Sequence, residues 1–244
     1  MIQSRLLKLA LAGTVLASLP ITAQAHRQWM TASSTVVSGE DNWVTVDAAA
    51  SNDLFFIDHR PLAAKPTVTT PDGQTVDIAN HAVGQMRATF DVHLQKQGTY
   101  RVAIVNQGVV GTYKEGGQTK NLPRGTTRAN LAERIPAGAT DVVTADNVSR
   151  NEIYITQGEP TAEIFKPTEG LTVTAIPGGI RYRDALNDQN LKTDAEGKVR
   201  IEWPEPGLYW VNVTEGGDED ERPAPGGPPR GRMSYVTVVE VLAS

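Results

Sequence analysis

The chain has 244 residues, among them 23 basic and 28 acidic side chains, and its formal net charge is −5. This acidic balance argues against nucleic-acid binding, which requires a basic face to contact phosphates. The chain has no cysteine, which excludes disulfides, thiolate metal sites and cysteine nucleophiles.

The first segment, residues 1–25, is predicted to be a secretory signal peptide. Two basic residues precede an apolar run over 9–19, and Ala23 and Ala25 are the small residues expected before a cleavage site. The apolar run is too short to span a bilayer, and no later segment approaches that length. We therefore expect an exported protein without a membrane anchor, whose mature chain begins at His26.

Short segments that alternate between apolar and polar residues dominate the rest of the chain. Clear examples are residues 43–48, 99–105 and 236–241. A period of two places one face of a strand inward and the other outward, which is typical of antiparallel, half-buried strands. The pattern predicts an all-β fold.

An internal repeat adds detail to this fold. A strand, a turn and the motif Gly-x-Tyr-x-Val occur at 90–102 and again at 199–211. Many immunoglobulin-like and prealbumin-like sandwiches end in this way, although any two β-hairpins can share these residue types. We predict two such β-sandwich units, 26–110 and 168–244.

The stretch 111–167 is predicted to be a loop-rich segment that connects the two units. It is interrupted by glycine and proline, which favour turns over regular elements. One short helix is expected within it, over 127–134, with Thr126 as its N-cap and Pro136 ending it.

Four histidines are the main candidates for binding a transition metal, because imidazole suits zinc, copper, nickel and cobalt. A free amino-terminal His26 offers its α-amine and its imidazole Nδ1 to one ion, and so closes a chelate ring that an internal histidine cannot form. The α-amine has a reference pKa of about 7.7–8.0, so a divalent ion displaces its proton readily near neutral pH. His81 and His93 are expected to be surface residues.

His59 is the second candidate ligand. It follows an apolar run in the sequence Asp58-His59-Arg60-Pro61, and Pro61 forces an extended geometry on the residue before it. This places His59 near a strand end, where loop residues often bind ligands. Asp58 either orients the imidazole or binds the ion itself; the same residues also fit an exposed charge cluster without a ligand.

Signatures of enzymes are missing from the sequence. It contains no Gly-x-Ser-x-Gly elbow, phosphate-binding loop, dinucleotide fingerprint or His-Glu-x-x-His pair. We therefore predict that the protein is not an enzyme.

Several separate blocks of the sequence resemble one large bacterial family of unknown function. The blocks include 25–30, 51–55, Asp58-His59, 177–184 and 207–210. The family was once described as a nickel-uptake, substrate-specific (NikM-like) region, and its members are exported, mostly in Gram-negative bacteria. The resemblance implies metal handling in the periplasm, with familiar histidines at His26 and His59. Similar proteins carry an extra stretch before Leu171, so the second sandwich is expected to be shortened here.

Three functions fit these observations. The first is a periplasmic, non-catalytic protein that binds or delivers copper, nickel, cobalt or zinc through His26 and His59, with Asp58 in support. The second is a β-sandwich module that binds an envelope component or a protein partner without metal. The third is a copper monooxygenase resembling the histidine-brace enzymes that act on polysaccharides, although the sequence offers no aromatic substrate platform.

Overall fold

The computed structural model describes residues 26–161, 168–215, 229 and 231–243. The predicted signal peptide, residues 1–25, lies outside them. The described part of the chain is mostly β and forms two sheets, of four and ten strands, which confirms the predicted all-β fold. Among these residues, no helix has the length and apolar character needed to cross a membrane.

The elements follow one another in a simple order. In chain order the strands are β1 (Arg27–Ala32), β2 (Val36–Val37), β3 (Asn42–Ser51), β4 (Thr67–Thr69), β5 (Thr75–Val76), β6 (Ala79–Val83), β7 (Ala88–Leu94), β8 (Gly98–Glu115), β9 (Gln118–Asn121), β10 (Thr140–Gln157), β11 (Thr172–Pro177), β12 (Gln189–Lys192), β13 (Gly207–Glu215) and β14 (Arg232–Val241). Helix α1 (Leu131–Arg134) lies between β9 and β10, and a 3-10 helix (Ile180–Tyr182) lies between β11 and β12.

The first core lies between the two sheets. The smaller sheet has the antiparallel order β1-β3-β7-β6. Alternate residues of β3, namely Val44, Val46 and Ala48, are fully buried on its inner face, as the alternation in the sequence predicts. They pack with residues of β8 and β10 in the larger sheet: Val102, Ile104, Ile153 and Ile155.

The repeated Gly-x-Tyr-x-Val motif adopts the same local structure twice. The hydroxyl of Tyr100 accepts a hydrogen bond of 2.7 Å from the backbone amide of Lys96. The hydroxyl of Tyr209 donates to the backbone carbonyl of Glu205, also at 2.7 Å. Each tyrosine thus ties the start of its strand to the chain four residues earlier, as in the corners of β-sandwiches.

The larger sheet passes through both halves of the chain. Its main strand order is β12-β11-β13-β14-β10-β8-β4-β5, with β2 beside β10 and β9 beside β8. At its centre, β8 and β10 pair antiparallel over almost their whole length. On its other side β10 pairs in parallel with β14, which joins the strands of the second half to those of the first.

The segment 111–167 therefore holds more regular structure than the loop-rich connection predicted for it. It contains β9 and β10, and a short helix is present at Leu131–Arg134, within the predicted 127–134. The prediction of Thr126 as its N-cap was wrong, because the helix begins later and its N-cap is Asn130. The side chains in the first half of β10 are all exposed or half-buried. This half therefore lacks the alternation of buried and exposed positions by which a strand is recognised in a sequence. The division into two separate sandwich units stays a prediction.

A second core holds the N-terminal strand against the second half of the chain. Trp29 of β1 and Leu54, which follows β3, pack with Ile176, Trp210 and Val238 of the larger sheet. The indole nitrogen of Trp210 donates to the backbone carbonyl of Gln28 at 2.9 Å. This core fixes the start of β1 and the loop after β3 next to each other.

Candidate metal site

His26 directly precedes β1, and the pairing of β1 with β3 fixes its position. In this antiparallel pair Arg27 lies opposite Ser51. Trp29 is buried, and its indole nitrogen donates to the hydroxyl of Ser51 at 2.8 Å. His26 is therefore held beside the end of β3, next to Asn52.

The loop after β3 carries Asp58 and His59. Leu54 near its start is buried in the second core, and Leu62 near its end is buried in the first. Between them, the carboxylate of Asp58 accepts a hydrogen bond from the backbone amide of Asn52 at 3.3 Å. Burial of two leucines at opposite ends and this internal bond define the path of the loop.

The two candidate histidines lie against each other, and we call them the histidine pair (His26 and His59). Their ring centroids are 3.6 Å apart, with an angle of 37° between the ring planes. Nδ1 of His59 lies 2.6 Å from a carboxylate oxygen of Asp58. Nδ1 of His26 donates to the side-chain oxygen of Asn52 at 3.1 Å. The structure thus brings His26, Asp58 and His59 into one site.

The protonation of Asp58 determines which nitrogen of His59 is available. Partial burial acts to raise the pKa of Asp58, but the hydrogen bonds from His59 and from the amide of Asn52 outweigh it, and the pKa is lowered. Asp58 is therefore a carboxylate at neutral pH and accepts the Nδ1 proton of His59. In the neutral form of the imidazole, this leaves Nε2 of His59 with the lone pair that a metal ion needs.

The side chains of the site supply only part of a coordination shell. Within the part of the chain that the structure describes, no three histidine, cysteine, aspartate or glutamate side chains are grouped so as to hold a metal ion. The histidine pair offers two nitrogens, and the carboxylate of Asp58 is already engaged by His59. The donor set fits copper, nickel, cobalt or zinc if the α-amine of His26 is added after cleavage.

The other two histidines lie elsewhere. His93 on β7 stacks on Trp43 of β3, with ring centroids 4.1 Å apart, and its Nε2 lies 2.6 Å from a carboxylate oxygen of Asp41. His81 on β6 is exposed. Neither contributes to the histidine pair.

Sequence reasoning missed several residues that surround the site. Asn52 bonds to His26, and its neighbour Asp53 forms an ion pair of 3.0 Å with Arg181. The guanidinium of Arg181 also lies 3.7 Å from the centroid of the Phe56 ring. Asp53 and Arg181 are 128 positions apart, and a single sequence carries no signal that links residues so far apart.

One comparison with known proteins finds a match. The sequence model of a protein family described as a domain of unknown function (DUF4198) matches residues 23–169 and 165–215. These ranges cover more than half of the chain and include His26, Asp58, His59 and Arg181. No curated protein matches the chain.

Proposed function

Because the chain belongs to the DUF4198 family, whose domain has no known function, we propose a function from its histidine pair: an exported, periplasmic protein that binds or delivers a divalent transition metal ion. The observation that carries the proposal is the contact between the rings of His26 and His59, 3.6 Å apart. Two imidazoles that touch where the start of β1 meets the loop after β3 are suited to share one ion. The protein acts as a binding protein and catalyses no reaction.

The three residues have distinct roles in this proposal. His26 binds the ion through its α-amine and Nδ1, which together close a chelate ring. His59 binds through Nε2, because Asp58 occupies its Nδ1 at 2.6 Å. Asp58 is a positioning residue, since its carboxylate fixes the orientation of the His59 ring. Binding of the ion replaces the hydrogen bond between His26 and Asn52.

The donor set also ranks the candidate ions. Nitrogen donors suit copper, nickel, cobalt and zinc, and the general order of affinities places copper highest among these divalent ions. Nickel is the ion that the sequence resemblance implies. We therefore expect copper to bind most tightly when all four ions are compared.

Export is part of the same proposal. The α-amine of His26 exists only after cleavage between Ala25 and His26, and residues 1–25 have the pattern of a signal peptide. Export to the periplasm would thus create one of the three metal-binding nitrogens.

The proposal is tested by titrating the mature protein with each ion in a calorimeter. A form with one alanine added before His26 is compared with it, after intact mass spectrometry has verified both N-termini. Loss of the hydrogen-bond partner of a metal ligand reduces metal affinity ~10- to 100-fold. The added residue removes a ligand itself, so we expect it to reduce the affinity further. Equal affinity of the two forms would remove the α-amine from the site.

Variants of the histidines complete this test. His26→Ala and His59→Ala should each weaken binding strongly. His81→Ala is the matched control, because His81 is exposed and lies outside the histidine pair. Binding that survives both His26→Ala and His59→Ala would refute the proposal.

A further inference from the structure

Trp43 is exposed on the outer face of the smaller sheet, near the start of β3. Val44 and Val46 point into the first core, so Trp43 belongs to the alternate set of residues that point outward. Its side chain is 55% exposed. A single exposed apolar side chain is common in proteins, so the surroundings of this ring decide whether it has a role.

The imidazole of His93 lies flat against this indole, and we call the two side chains the ring pair (Trp43 and His93). The two residues face each other across β3 and β7. Their ring centroids are 4.1 Å apart and the angle between the ring planes is 8°. The carboxylate of Asp41, 2.6 Å from Nε2 of His93, holds the imidazole in this orientation. The sequence alone offers no sign of such a platform, because strand pairing brings together residues that are far apart in the chain.

An open pocket of about 280 Å³ adjoins the ring pair, and both rings line it. Its other walls come from the chain around the start of β6 and from the turn between β7 and β8. Pockets for small molecules typically measure about 300–1,000 Å³. The pocket therefore fits a ligand with the size of a single small ring.

The pocket has no spare positive charge. Among the described residues that line it, Lys96 and His93 can carry such a charge. Lys96 forms an ion pair of 2.6 Å with Asp72, and His93 lies against Asp41. Asp77 adds a carboxylate to the lining. The pocket thus disfavours phosphates and carboxylates, and it favours a neutral ligand over a nucleotide or an organic acid.

Two exposed polar side chains of the lining offer hydrogen bonds to such a ligand. The amide of Gln95 can donate and accept, and the carboxylate of Asp77 accepts. The ion pair of Asp77 with Lys65 is 3.6 Å long and leaves 95% of the Asp77 side chain exposed. Because these groups lie beside a flat apolar surface, the site suits a molecule with one apolar face and hydroxyl groups around its edge.

From these observations we propose that the ring pair and its pocket bind a single neutral sugar ring in the pyranose form. A pyranose with equatorial hydroxyl groups, such as glucose, presents axial C–H groups on a flat face and hydroxyl groups around its edge. The flat face packs on the ring pair, and the hydroxyl groups bond to Gln95 and Asp77. Aromatic rings bind flat ligands of this kind by stacking.

The sugar site is separate from the histidine pair. Trp43 is the second residue of the ten-residue strand β3, whereas Ser51, beside the histidine pair, is the last. A strand rises about 3.3 Å per residue, so the two sites lie at opposite ends of β3. The sugar site therefore does not rest on the proposed metal-binding function.

The first test measures binding of three sugars to the mature protein by saturation-transfer NMR and calorimetry. The probes are the methyl β-glycosides of glucose, galactose and N-acetylglucosamine. Sorbitol, which carries hydroxyl groups on an open chain without a flat face, is the matched control. We expect at least one glycoside to bind through its ring C–H protons, and sorbitol not to bind. Binding by none of the three glycosides, or equally tight binding of sorbitol, would overturn the proposal.

Two further probes identify the ligand more closely. Adenosine offers a flat aromatic base, and tighter binding of adenosine than of every glycoside would replace the sugar by a nucleobase and overturn the proposal. Cellotetraose tells a free sugar from a polysaccharide chain. Equal affinity of cellotetraose and methyl β-glucoside would assign a free sugar, and tighter binding of cellotetraose would assign a chain; both results support a sugar site.

Variants place the sugar on the ring pair. Trp43→Ala should reduce affinity at least about tenfold, as the loss of a stacking ring does for other flat ligands, and Trp43→Phe should retain part of it. Trp203→Ala is the matched control, because Trp203 is also exposed, at 38%, and is not among the residues that line the pocket. Gln95→Ala should weaken binding without changing either ring, and circular dichroism verifies each fold.

The outcomes separate this inference from the proposed function. Full affinity in both Trp43→Ala and Gln95→Ala, or equal losses in Trp43→Ala and Trp203→Ala, would overturn the location. If Trp43→Ala does not fold, then full affinity in Gln95→Ala overturns it alone. Metal binding without sugar binding would overturn this inference only, and sugar binding without metal binding would overturn the proposed function only.

Discussion

Asp58 determines the chemical state of the residue that follows it. Its carboxylate accepts the Nδ1 proton of His59 at 2.6 Å and is itself held by the backbone amide of Asn52 at 3.3 Å. A carboxylate in this position fixes the tautomer and the direction of an imidazole, and it raises the basicity of the other ring nitrogen. In the proposed metal site, the affinity of His59 for an ion therefore depends on a residue that need not touch the ion.

Replacement of Asp58 by alanine tests this dependence. Asp58→Ala removes the acceptor while both histidines remain, so we expect the affinity for copper or nickel to fall about 10- to 100-fold. Calorimetric titration of the mature protein measures the change, and circular dichroism verifies the fold.

Asp72→Ala is the matched control for this variant. Asp72 is exposed and pairs with Lys96 at 2.6 Å, in a turn that is not part of the site. The Asp72→Ala variant should leave metal affinity unchanged. If Asp58→Ala behaves like this control, then Asp58 does not position a metal ligand.

At the scale of elements, the parallel pair of β10 and β14 holds a buried carboxylate. Glu152 of β10 is only 2% exposed. It forms an ion pair with Arg150, and the hydroxyl of Tyr154 donates to it at 2.7 Å. Tyr235 of β14 lies opposite Arg150, with its hydroxyl 3.4 Å from that of Tyr154. These bonds satisfy a charge that burial would otherwise make very unfavourable.

This cluster predicts a loss of stability at alkaline pH. Burial raises the pKa of Tyr235 from 10.0 to about 12, and the charge of Glu152 adds to the effect, while a hydrogen bond with Tyr154 opposes it. Because the folded protein favours the protonated phenol, this contribution to stability is complete below pH 10.0 and is lost as pH rises through about 12. The free energy of unfolding, measured with urea, should therefore decline across that range.

Two tyrosine variants show whether Tyr235 causes the decline. Tyr235→Phe removes one titrating group and should make the decline shallower. Burial also raises the pKa of Tyr154, which therefore keeps the rest of the decline. Tyr182→Phe is the matched control, because Tyr182 is 78% exposed, and it should keep the full decline. The same decline in both variants would assign the effect to other groups.

At the scale of the whole molecule, the two halves of the chain share a sheet and a core. The larger sheet runs from β12 to β5 through β14, β10 and β8. The second core combines Trp29 and Leu54 from the first half with Trp210 and Val238 from the second. Shared burial of this kind makes the folding of one half depend on the other.

We therefore expect a single cooperative unfolding transition. Leu54→Ala should destabilise the protein by about 2–5 kcal/mol, as for other buried leucines. The urea midpoints from far-ultraviolet circular dichroism and from tryptophan fluorescence should move together. Leu242→Ala, at a position that is 64% exposed, is the matched control and should have little effect.

Separate midpoints for the two probes would contradict this expectation. A shift of only one midpoint in Leu54→Ala would do the same, because it would mean that the halves unfold independently. In that case the two sandwich units predicted for 26–110 and 168–244 would behave as separate domains.

The sequence by itself determined the class of fold and the residues of interest. Alternation along β3, β8 and β14 depends only on neighbouring residues, so the strands and their buried faces could be predicted. A short helix could be predicted within 127–134, but its N-cap is Asn130 and not the predicted Thr126. His26, His59 and Asp58 could be named because their chemistry and their places in the chain are local properties.

Only the tertiary structure decided how these parts meet. The ring contact of His26 with His59 depends on the register of β1 against β3 and on the burial of Leu54. The polar first half of β10 forms a strand because β8 pairs with it, and not because of its own pattern. Register and packing join residues that are distant in the chain, and such contacts leave no periodic trace in the sequence.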